Sequence, residues 1–121
     1  MISKELLIEV YGDILDRFDS YDGRIIDIKQ YLDDSIQVDY IMKGYSNSMI
    51  NCYSINIYEL AHKCKEWALD YVDNIGSGRD KSKLNVGWCI CNNGEIQEYA
   101  KTEIEAIFKA CQWILDNKDN N

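Results

Sequence analysis

Proline is absent from this sequence, histidine occurs once, and basic residues are scarce, 13 lysines and arginines standing against 21 aspartates and glutamates. Without proline, and without a serine/glycine-rich linker, a repeat or a low-complexity run before the polar end at 116–121, nothing divides the chain into modules. No apolar stretch nears the roughly 20 residues that cross a bilayer, so no membrane partner is expected. The opening residues lack the basic cap and long apolar run of a secretion signal, so a cytoplasmic location is expected. A formal net charge of −8 sets the chain against the bare phosphate backbone of DNA or RNA as a direct ligand and favours a basic or metal-bearing partner. The bland reading of the same charge is solubility.

Catalytic and cofactor motifs are missing as well. Gly76-Ser77-Gly78-Arg79 resembles the start of a phosphate-binding turn, but no lysine–serine/threonine pair opens a helix behind it, and the segment reads as a flexible connector. Nucleophile elbows and helical metal-ligand pairs do not occur. Adjacent acids such as Asp33-Asp34 read as turn chemistry, and Glu105 as a helix cap. The expectation is a protein that is not an enzyme and has neither cofactor nor bound metal.

What is present is the balance of a globular protein, 46% apolar and 28% charged over 121 residues, which is one core's worth of chain. A single α+β domain over 1–121 is expected, with 116–121 frayed. Two helices dominate. Over 57–74, Asn56 and Glu59 form a capping pair, and Ile57, Leu60, Ala61, Cys64, Ala68 and Tyr71 recur at three- and four-residue steps. Over 103–117, Thr102 and Glu105 form a second capping pair, with Ile104, Ile107, Phe108, Cys111 and Leu115 as the inward stripe. Ala106, Ala110 and Trp113 fall nearly opposite that stripe, which implies a second packing surface and a candidate homodimer face.

Strands are expected at 84–91 and 95–100, joined at Asn92-Asn93-Gly94, whose residues accept positive φ. Two more are read at 24–31 and 35–44, the second alternating Ile36, Val38, Tyr40 and Met42 against Gln37, Asp39, Ile41 and Lys43. Residues 52–55 add a short further strand. Near the start, Ser3 caps a helix carrying Leu6, Leu7 and Val10 that either stops at Gly12, leaving 14–19 as a strand, or runs on to Phe18. The first alternative is preferred, because a mid-helix glycine costs about 1 kcal/mol. The fold class is then α+β, an antiparallel sheet of about five strands with three helices, in the order α-β-β-β-α-β-β-α.

Among the reactive side chains, His62 reads as an ordinary surface histidine beside Glu66. Cys89 and Cys91 share one strand face and offer a thiol or soft-metal reading together with His62, but no second cysteine pair completes a zinc set, so buried free thiols are expected. An odd total of five cysteines fits a reducing compartment. Nine tyrosines and three tryptophans are generous for this length and suit interfaces. Tyr45, Tyr53, Trp67 and Trp113 are those that strand and helix phase do not assign to the core.

The stretches Ile55-Asn56-Ile57-Tyr58-Glu59-Leu60-Ala61-His62-Lys63-Cys64-Lys65-Glu66-Trp67-Ala68 and Thr102-Glu103-Ile104-Glu105-Ala106-Ile107-Phe108-Lys109-Ala110-Cys111-Gln112-Trp113-Ile114-Leu115 resemble segments of small phage- and prophage-encoded α+β proteins, in which one such helix precedes a hairpin and the other closes the domain. The resemblance spans about the last half of the chain and concerns caps and packing faces. It implies a protein that binds and inhibits a host protein, such as an anti-CRISPR or other anti-defence inhibitor whose acidic surface occupies a nucleic-acid-binding groove. Expected partner contacts are Asp33, Asp34, Asp39, Glu66, Asp70 and Trp113. The alternative is a homodimeric structural or regulatory module of unassigned role.

Overall fold

A computed structural model describes residues 1–15, 21–30, 34–42, 50–80 and 86–120. Its elements run α1 (Lys4–Leu15), β1 (Tyr21–Gln30), β2 (Ser35–Met42), β3 (Ile50–Asn56), α2 (Ile57–Ala68), β4 (Ile75–Asp80), β5 (Val86–Cys91), β6 (Ile96–Ala100) and α3 (Glu103–Asn117). The α+β class holds, but the strands number six among the described residues, in two three-stranded antiparallel sheets, β1-β2-β3 and β4-β5-β6. The single sheet of about five strands is corrected accordingly.

The added strand is β4. Two glycines in Ile75-Gly76-Ser77-Gly78 read as a connector, yet the second supplies space for an aromatic ring. Gly78 lies opposite Trp88 on β5, and a Cβ at Gly78 would sit 2.6 Å from Trp88 Cζ2. Bare backbone is therefore what lets the indole lie across β4 while the ladder stays intact. The α2 helix stops at Ala68, short of the expected 74, and the connection that follows is tied to the hairpin turn. The Asp73 amide donates to Asn92 Oδ1 at 2.7 Å, and Asn74 exchanges bonds with Asn93 and with the Asn92 amide. That turn adopts the positive φ values its residues suit: Asn92 53°, Asn93 56° and Gly94 105°.

At the start of the chain the longer helix is the observed one, since α1 passes through Gly12 to Leu15. Residues 14 and 15 are helical, so the strand expected at 14–19 is corrected there, and 16–19 lie outside the described residues. Leu6, Leu7 and Tyr11 anchor the helix in the core at 0%, 0% and 3% exposure, and it continues through the glycine despite a cost of roughly 1 kcal/mol. Ser3 caps this helix as expected, its Oγ accepting from the Leu6 amide at 3.1 Å.

One buried apolar cluster joins the elements. From the first sheet come Ile36, Val38, Tyr40 and Ile55, with the alternation expected of β2; α1 adds Leu6 and Leu7, and α2 adds Leu60, Ala61 and Cys64. The α3 helix packs on β5 and β6 and also against α2, which uses both of its apolar faces. Ala106 and Ala110 are thereby fully buried within the chain and unavailable to a second copy, so the expected dimer face is reduced to Trp113, which is 46% exposed. Gly87 sets how closely α3 begins: a Cβ there would lie 2.0 Å from the Thr102 carbonyl carbon.

Candidate functional site

Both capping residues act as expected, each through one half of its box. Asn56 Oδ1 accepts from the Tyr58 and Glu59 amides at 2.9 and 3.2 Å, and Thr102 Oγ1 accepts from Glu105 at 3.1 Å. The Glu105 carboxylate takes the Met1 α-ammonium at 3.0 Å. The amino ends of α2 and α3 line one cleft of about 550 Å³, while Trp113, Asn117 and Lys118 of the α3 end and Tyr71 and Val72 beyond α2 line a second of about 380 Å³. The two helices therefore run in the same sense, their positive dipole ends at the first cleft and their negative ends at the second.

The second cleft is an aromatic groove. Tyr71 is 44% exposed, contrary to its expected place in the α2 stripe, because the helix ends three residues earlier and a turn carries the side chain outward. Its ring packs on Trp67 with centroids 5.0 Å apart, and Lys118 Nζ lies 5.2 Å from its centre. Trp113 faces it across the groove, with Ile96 and Glu95 also in the lining. Asp70 and Asp73, the neighbours of Tyr71 and Val72, are both exposed. Large half-exposed rings beside one carboxylate and one ammonium form a surface that can take an apolar side chain with a polar or charged end.

The expected partner residues do not form one patch. Asp70 and Trp113 belong to the carboxyl ends of the helix layer. Asp34 is exposed in the other cleft, with φ 63° and its carbonyl accepting from the Ile57 amide at 2.9 Å. Asp39 is half-buried on β2 and accepts from Gln37 Nε2 at 2.8 Å. Glu66 is exposed on α2 and bound to His62 Nε2 at 2.7 Å. Asp33 and Tyr45 lie outside the described residues.

The thiol reading meets a different arrangement from the one it required. Cys89 and Cys91 point inward, and with Cys64 and Cys111 all four are at 0% exposure, whereas the His62 side chain is 73% exposed, so it does not join them. Cys111 Sγ donates to the Cys64 carbonyl at 3.5 Å. A hydrogen bond to Cys91, then burial, pushes the Cys89 thiol up; the same bond lowers Cys91, against the opposing effect of burial. Contact with Cys64 and burial push Cys111 up. Among the described residues, no three histidine, cysteine, aspartate or glutamate side chains are grouped to hold a metal. No helix among them is long and apolar enough to cross a membrane.

Tyr71 was expected in the core stripe of α2 and Arg79 in a connector, while Lys65, Arg79 and Lys101 carried no expected role at a site. The last three meet in the first cleft from α2, β4 and the residue after β6, and no local pattern announces a meeting of that kind. Comparison of the chain with protein-family models, with curated proteins and with solved structures gives no match.

Proposed function

We propose that this chain is a non-enzymatic binding protein that docks on a basic, nucleic-acid-facing surface of a host protein and inhibits it, the action expected of a phage-encoded anti-defence inhibitor such as an anti-CRISPR. The observation that carries the reading is the groove in which Trp113 and Tyr71 stand half-exposed beside Glu95 and Lys118, with the exposed Asp70 and Asp73 next to Tyr71 and Val72 in the chain. Aromatic anchors within a charged rim are the usual anatomy of a protein-binding surface. The net charge of −8 supplies long-range attraction to a basic partner, and the negative helix ends point the same way.

Capture from host lysate with wild-type protein and with Trp113→Ala tests it. A nucleic-acid-binding protein should be retained at low ionic strength, released at about 0.5 M salt, displaced by DNA, and held at least tenfold more weakly by the variant. Failure to retain any such protein at low salt, or equal retention by Trp113→Ala, overturns the reading. Light scattering addresses the homodimer directly, because a Trp113-dependent dimer would occupy the same groove.

A further inference from the structure

The cleft at the amino ends of α2 and α3 has a chemistry at odds with the rest of the molecule. Three of the chain's 13 basic residues, Lys65, Arg79 and Lys101, line it. None of the three makes an ion pair with a described residue. Three carboxylates, Asp34, Glu103 and Glu105, line the cleft too; Glu105 is engaged by the Met1 ammonium and Glu103 accepts the Ser77 hydroxyl at 2.7 Å. The first two amides of α3, those of Glu103 and Ile104, find no acceptor among the described residues, since Thr102 serves Glu105 instead. Tyr58, 60% exposed, and His62 give the cleft an aromatic side.

We propose that this cleft binds a small phosphorylated molecule, its phosphate held by Lys65, Arg79 and Lys101 and its organic part laid against Tyr58. The placement on one cavity of three cations from separate elements, none in an ion pair with a described residue, carries the proposal. A dianionic phosphate suits three cations and two amides without an acceptor among the described residues better than a single carboxylate does. The volume of about 550 Å³ lies within the ordinary range of small-molecule sites. A long polyanion is disfavoured, because Asp34, Glu103 and Glu105 border the cations and the whole chain is strongly negative.

Calorimetric titration of the full chain with adenosine 5′-monophosphate, inorganic phosphate, adenosine and a single-stranded DNA 12-mer, on the order of one small domain's length, tests the proposal. Saturable binding of the monophosphate, several-fold tighter than phosphate and absent for adenosine, is expected. Arg79→Gln and Lys101→Gln, both at exposed positions, should each weaken it about tenfold or more, with unchanged circular dichroism. No binding of monophosphate or phosphate up to about 10 mM overturns the proposal. So does phosphate binding as tightly as the monophosphate, an affinity indifferent to both substitutions, or tighter binding of the DNA. Because the readout uses no protein partner, failure here leaves the aromatic groove's role standing, and the reverse also holds.

Discussion

Tyr11 shows how much one side chain can report. Its ring is 3% exposed under Lys63, whose Nζ lies 5.7 Å from the ring centre. Burial, followed by the nearby Glu59 carboxylate, pushes the Tyr11 hydroxyl up to about 12 from an ordinary value of 10.0. A folded-state value above the unfolded one means that the neutral form is favoured by folding. That contribution is complete below about pH 10 and is lost as pH rises towards 12. Urea midpoints measured at about pH 9 and about pH 11 should therefore fall further for wild type than for Tyr11→Phe. An equal fall in both proteins would place the alkaline loss in other residues. Gly87 is the second informative residue, because the atoms a Cβ would strike belong to the Thr102 backbone and cannot rotate away. Gly87→Ala should cost about 1–3 kcal/mol in a denaturant melt, the usual range for forced overpacking; a cost near zero would show that α3 can slide outward.

Among the elements, β4 owes its existence to its neighbour. Gly78→Val would drive a side chain into the Trp88 ring, whereas Trp88→Ala clears the space, so the two substitutions should couple. A double-mutant cycle by urea denaturation should give a coupling of about 0.5–3 kcal/mol, the valine costing less beside alanine than beside tryptophan. Additive costs would mean that the indole does not lie over β4. This strand also marks where local reading stops. The α2 and α3 helices were legible because cap and stripe lie within a few residues of each other, as with Asn56 and Leu60 or Thr102 and Ile107. The alternation of Ile36, Val38 and Tyr40 in β2 was legible for the same reason. Gly76 and Gly78 carry no such pattern, and only the ladder with β5 makes a strand of them. The site followed the same rule. Trp113 stood out by its helical phase, but Tyr71 depended on where α2 stops, and the three cations of the first cleft depended on tertiary placement alone.

For the molecule as a whole, the distribution of thiols offers a test of global opening. Cys52 is exposed, while Cys64, Cys89, Cys91 and Cys111 lie in the core between α2, α3 and β5. A thiol-reactive chromophore should consume one equivalent quickly in native conditions and all five in denaturant, the slow remainder tracking unfolding. Two or more fast equivalents would show that the helix layer lifts from the sheet far below the unfolding transition.

Since α2 and α3 run in the same sense, their peptide dipoles reinforce each other where an antiparallel pair would cancel. If the partner is the basic surface proposed above, the pair would act as a small compass needle, feeling a torque before any atoms touch that turns the Trp113 end forward. Productive collisions with that proposed partner would be enriched by the rotation, and the association rate should climb steeply as electrolyte is removed.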